Sequence, residues 1–137
     1  MTKKFLNSLI RLYGYIYSDK PFRNTKTVSF LIYKNKIVSI GVNTDKTSPM
    51  QKLYRMKTDL KDIKNFIDKE HSEINCLRKI DSDINFSKAE MVVISIRCDG
   101  KFRLARPCDV CMSAIKDFGI HKIYYTNREQ DFSYEKI

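Results

Sequence analysis

Four glycines, three prolines and no repeating period among 137 residues exclude a collagen-like or solenoid chain. No Pro-, Gly- or Ser-rich stretch divides the sequence, so it reads as one domain over residues 1–137. Long hydrophobic runs are also missing. The longest, Met91 to Ile96, is interrupted by Ser95 and falls far short of the ~20 residues that span a bilayer. Near the N-terminus Asn7, Ser8 and Arg11 break the apolar face, which argues against a signal-peptide core. The expectation is a cytoplasmic protein with no membrane partner. Its four cysteines are then reduced, and serve as metal ligands or core residues rather than a disulfide scaffold. Acidic residues are scarce in the first 56 positions, where only Asp19 and Asp45 offset the lysines and arginines. That part carries +9 of the formal net charge of +10. Two readings fit this asymmetry: a surface facing phosphates, or solvent-facing lysines with no partner.

A hydrophobic share of 42% is that of a folded domain rather than a disordered chain. Phe5, Leu6, Leu9, Ile10, Tyr13 and Ile16 recur at helical spacing and predict a helix over about 4–18. Two β-rich runs, 28–33 and 37–42, flank Lys34-Asn35-Lys36 and predict an antiparallel hairpin. Residues 44–56, with Pro49 among them, read as loop. Leu60, Ile63, Phe66 and Ile67 predict a helix, and Ile74, Leu77 and Ile80 continue a helical face, with Asp68 as its cap. Met91–Cys98 reads as a strand buried on both faces. Cys111, Ala114, Ile115 and Phe118 predict a helix entered through Pro107 and ended by Gly119. Ile120–Thr126 and Phe132–Ile137 are the last strands. The Asn127–Gln130 connection is too short for a crossover helix, so these two strands should be antiparallel.

The chemistry concentrates at two predicted helix starts, His71-Ser72-Glu73 and Pro107-Cys108-Asp109-Val110-Cys111. Cys108 and Cys111 are three apart and share a helix face, where the positive end of the helix dipole favours thiolates. Two thiolates and the His71 imidazole would hold a tetrahedral zinc with one corner open, the catalytic pattern rather than the closed structural one. A structural site would need a fourth ligand from Cys76, Cys98 or His121. Glu73, at a helix start, can reach a ligand near the axis and move protons between water and substrate. Pro107 is preorganised for a first helical turn.

H-x-E followed by P-C-x-x-C resembles the signature of the zinc-dependent cytidine/deoxycytidylate deaminase superfamily. Ile74-Asn75 and the run from Pro107 to Thr126 extend the resemblance, and Gly41-Val42-Asn43 is similar to the family's Gly-x-Asn; residues 28–126 are covered. The resemblance implies an α/β fold, a three-layer α-β-α sandwich around a mixed five-stranded sheet. It implies one Zn2+ per chain on His71, Cys108 and Cys111, with Glu73 as the catalytic acid–base. It places Asn43 and Asp45 on the sugar and Ser72 and Pro107 near the substrate. The implied activity is hydrolytic deamination of a cytosine-containing nucleoside or nucleotide by a homo-oligomer. Two other readings stay open: deamination within single-stranded DNA or RNA, suggested by Arg97, Lys101, Arg103 and Arg106, and a zinc-stabilised binding module without catalysis. Ser72 stands where the family usually has alanine, and Arg106 has no role that the sequence assigns.

Overall fold

The computed structural model describes residues 1–17, 26–58, 68–80 and 83–137. Helix α1 (Lys3–Tyr17) starts where the Thr2 hydroxyl accepts the Phe5 amide, 3.1 Å away, and it buries Leu6, Leu9 and Tyr13 on one stripe. Strands β1 (Thr27–Tyr33) and β2 (Lys36–Val42) form the expected hairpin. Lys34 and Asn35, with φ of 52° and 61°, make the two-residue turn whose twist matches that of the strands.

The segment read as loop contains a helix, α2 (Pro49–Lys57). Pro49 opens this helix instead of interrupting a chain, and the Ser48 hydroxyl caps it by accepting from the Gln51 amide. Its buried face is Gln51, Tyr54 and Arg55, so the apolar periodicity that would have revealed it is absent. The helix predicted around Leu60–Ile67 lies outside the described residues. Helix α3 (Ser72–Arg78) begins at an N-cap formed by His71 and not at Asp68, which instead pairs with Arg55 at 3.0 Å.

Strand β3 (Glu90–Ser95) is buried on both faces and is followed by α4 (Asp109–Asp117). Cys108 is the N-cap of α4, so Pro107 sits one residue before the cap and not in the first turn, as the sequence suggested. Gly119, at φ 94°, ends α4 in the left-handed conformation. Ile120 N–H then reaches Ile115 O and Gly119 N–H reaches Lys116 O, which satisfies the last carbonyls. Strands β4 (Lys122–Thr126) and β5 (Phe132–Lys136) close the chain as the expected antiparallel pair.

The sheet order is β2-β1-β3-β4-β5, with β3–β4 parallel and the other neighbours antiparallel. Period-two alternation sends Val28, Phe30, Ile32, Val92 and Ile94 beneath α1. Leu31, Met91, Val93, Ile123 and Tyr125 go to the opposite face, under the other three helices. This is the α-β-α sandwich expected from the sequence. Among the described residues no helix is long and apolar enough to cross a membrane.

One contact sets how closely α3 lies on the hairpin. A Cβ on Gly41 would overlap the Ser72 carbonyl oxygen and the Cys76 amide nitrogen, and would come within 2.6 Å of Cys76 Cβ. Backbone cannot yield there as a flexible side chain would. Gly41→Ala is therefore expected to cost about 1–3 kcal/mol through overpacking. The check is the urea midpoint, which should fall clearly; an unchanged midpoint would refute the close approach.

Candidate active site

Each helix on the site starts at one of its key residues. His71 (φ −76°, ψ 159°) and Cys108 (φ −67°, ψ 169°) are extended N-caps of α3 and α4, and Cys111 lies one turn inside α4. The His71 Nδ1 atom is 3.6 Å from Cys108 Sγ and 3.3 Å from Cys111 Sγ, and the three ligand atoms lie within 4.8 Å of one another. Zn–N of about 2.0–2.1 Å and Zn–S of about 2.3 Å at a tetrahedral angle require N···S of about 3.5 Å, so the cluster fits that ion. None of Cys76, Cys98 and His121 joins the group. Cys76 is buried in α3, its thiol pushed up to about 12 by desolvation. His71 is fixed from behind by its amide, which donates to the Gln51 side-chain oxygen at 3.1 Å.

The mutual contact of the two thiols sets them apart. Cys108 is lowered to about 4, first by its hydrogen bond with Cys111 and further by His71 and the Cys111 amide, against the opposing effect of burial. Cys111 is raised by that same contact, by burial and by the nearby Glu73 carboxylate. The contact and the imidazole favour a thiolate at Cys108, the form in which sulfur binds zinc.

Glu73 lies in the first turn of α3 and is only 5% exposed. Its Oε1 accepts from the Ser72 hydroxyl at 2.6 Å and lies 3.5 Å from the Ser29 hydroxyl, while the two serine oxygens are 2.8 Å apart. The Ser72 hydroxyl is therefore engaged beneath the carboxylate. Glu73, His71, Cys108, Ser72, Asn43 and Arg106 all line one cavity of about 290 Å3. Asn43 is at its rim, with Oδ1 accepting from the Thr27 amide at 2.9 Å and the Tyr17 hydroxyl at 3.3 Å.

Asp45 and Pro107 are not brought to this cavity. Residues 44–48 pair with 68–70 through Thr44 N–H to Glu70 O, Glu70 N–H to Lys46 O and Ser48 N–H to Asp68 O. That pairing turns Asp45 outward, with its side chain 80% exposed and 3.8 Å from Lys69. Pro107 is buried just ahead of the α4 cap.

Several supporting residues have roles that only the folded structure shows. The Asn75 side chain accepts from the Val42 amide at 3.0 Å and donates to Glu70 Oε1 at 2.5 Å. It thereby ties the residue before Asn43 to the residue before His71. Glu70 also accepts two hydrogen bonds from Arg78, at 2.8 and 2.9 Å. Arg106 makes a two-point contact with Glu135 of β5, at 2.7 and 3.2 Å, across 29 residues of chain.

Burial alone would push the Glu70 carboxyl up, but hydrogen bonds from Arg78, Asn75 and Ser48 outweigh it and hold the group at about 2. Its stabilising contribution is complete above the ordinary carboxylate value of 4.5 and is lost as pH falls from there towards 2. Urea titrations with chelator present should show the wild type losing more stability than Glu70→Gln over that window. The limiting difference in slope is about 1.4 kcal/mol per pH unit. Identical pH dependence in the two proteins would contradict the assignment.

The family of the cytidine and deoxycytidylate deaminase zinc-binding region matches residues 3–127. The fold is similar to that of a dCMP deaminase from the cyanophage S-TIM5, with a TM-score of 0.58 and 17% identity over 93% of this chain and 86% of that one. A structure of the same phage enzyme in complex with dCMP and dUMP gives 0.59 and 19%, over 93% and 84%. A cytidine deaminase from Burkholderia pseudomallei gives 0.60 and 15%, over 99% and 93%. No curated protein matches the sequence.

Proposed function

This chain belongs to the cytidine and deoxycytidylate deaminase zinc-binding family, and on that premise we propose that it converts cytosine to uracil in a free (deoxy)cytidine nucleoside or nucleotide, by hydrolysis with release of ammonia. The His/Cys/Cys group and the family together assign one zinc ion to it. The observation that carries the proposal is the shared cavity. Glu73, His71 and Cys108 face the same 290 Å3 space, within which a pyrimidine can meet all three.

In this reading His71 Nδ1, Cys108 Sγ and Cys111 Sγ would hold the ion. When bound, zinc lowers the pKa of water towards ~7 and so supplies hydroxide near neutral pH. The Glu73 carboxylate would take the proton that the attacking water gives up and deliver it to ring N3 as a C–O bond forms at C4. A second proton passes through Glu73 to the exocyclic nitrogen, the C4–N bond breaks, and ammonia leaves uracil behind. The hydroxyls of Ser72 and Ser29 hold Oε1 so that the carboxylate swings little between these transfers. Asn43, which lines the cavity, would contact the sugar. The phage enzyme solved with dCMP and dUMP supports a nucleotide as the partner. A second reading, deamination within a single strand, is favoured by the cations beside the cavity.

Glu73→Gln keeps size and hydrogen bonding but cannot carry the proton. It is expected to retain about one zinc per chain and lower turnover about a hundred- to ten-thousand-fold. Ammonia release by this variant at the wild-type rate, on any cytosine substrate that the wild type accepts, would remove Glu73 from the mechanism.

A further inference from the structure

A second, larger cavity of about 860 Å3 adjoins the metal cavity and shares Thr27 and Leu104 with it. Its wall is formed by the end of β3, the 97–104 loop and the β4–β5 turn. Arg97, Lys101, Arg103 and Arg128 all line it, and among the described residues that do so none is acidic. Asp99, on the same loop, pairs with Arg97 at 3.0 Å.

The wall is a built feature. Arg97 N–H donates to Lys101 O at 2.7 Å and Arg103 N–H to Ser95 O at 2.9 Å. The Gln130 side chain clamps the two segments together, accepting from the Phe102 amide at 2.8 Å and donating to its carbonyl at 3.4 Å. The backbone of the wall is thus fixed, and its four exposed cations line one space.

With a base in the metal cavity, the shared boundary at Thr27 and Leu104 offers what the sugar carries a route into the larger cavity. A nucleoside would bring nothing to the cations, and a single phosphate would leave most of the larger cavity and its charge unmatched. We infer that this cavity seats a run of two or more linked phosphates attached to the substrate's sugar, and that such a substrate is preferred over the nucleoside and the monophosphate. A nucleoside triphosphate offers them as one anhydride chain on its sugar, and a single strand as successive diesters joined through its sugars. The inference rests on the cytosine-deaminase reading, which it deepens.

The test measures ammonia release by the zinc-loaded full chain on deoxycytidine, dCMP, dCTP and a short oligodeoxynucleotide with one cytosine. Calorimetry with inorganic tripolyphosphate runs in parallel. Each further charge-assisted hydrogen bond to phosphate should raise kcat/KM about tenfold or more, so that dCTP or the oligonucleotide exceeds dCMP, and dCMP exceeds deoxycytidine. The Lys101→Glu/Arg128→Glu double variant, at an unchanged thermal midpoint, should bring these ratios close to one and weaken tripolyphosphate binding about tenfold or more. If the oligonucleotide leads, with a log–log salt slope of about −0.7 per cation engaged, the phosphates are those of a strand; if dCTP leads, they are those of a free nucleotide. Equal rates on deoxycytidine and dCTP, or rates that rise to dCMP and no further, would overturn the inference. So would a double variant that binds tripolyphosphate as the wild type does. If no cytosine compound is deaminated, the functional reading fails, and tripolyphosphate binding decides the cavity's role by itself.

Discussion

Strands β2 and β3 each run antiparallel to β1, and therefore parallel to one another, so both hand the chain to a helix at the same edge of the sheet. This constraint brings the N-caps of α3 and α4 together, although 36 residues separate His71 from Cys108 in the chain, roughly the length of a strand–helix–strand unit. The caps have extended backbones, which turns their side chains towards the space between the helices instead of along a helix flank. The metal group, Glu73 and the cavity all follow from that meeting. The location, beyond the carboxyl ends of parallel strands, is where open α/β sheets bind ligands.

What keeps the meeting rigid lies behind it. Gly41 lets α3 settle against β2, Gln51 fixes the His71 backbone, and Asn75 joins the end of β2 to Glu70. Ser29 reaches from β1 to the Ser72–Glu73 pair. These residues come from four separate elements. Each completes a hydrogen bond or a close approach that water could not replace in so buried a place.

The two motifs were legible because their meaning is local. A carboxylate two residues after an imidazole, and thiols one helical turn apart after a proline, are readable wherever helix starts can be inferred. The hairpin and the antiparallel ending were equally clear from turn length. Helix α2 was hidden because its buried face is polar, so no apolar period marks it. The Arg106–Glu135 contact and the Glu70 network join residues whose nearness only the folded sheet creates. Asp45 shows the reverse case, a position that spacing suggests and that long-range pairing orients. A resemblance in spacing placed it on the substrate, and the pairing of 44–48 with 68–70 turns it to solvent.

The basic cavity beside the site gives the chain's positive charge a structural address at four particular side chains. Most of the net charge lies in residues 1–56, yet these four cations all come from the second half of the chain. Bulk charge can hasten the approach of an anion, whereas placed charge selects among anions.

Zinc K-edge X-ray absorption on the loaded protein addresses the metal centre without any assumption about substrate. The account predicts two sulfur scatterers at about 2.3 Å and two light atoms at about 2.0–2.1 Å, of which one belongs to a single imidazole. A shell with three or four sulfurs, or with two imidazoles, would mean that a further side chain closes the coordination sphere, and would contradict it.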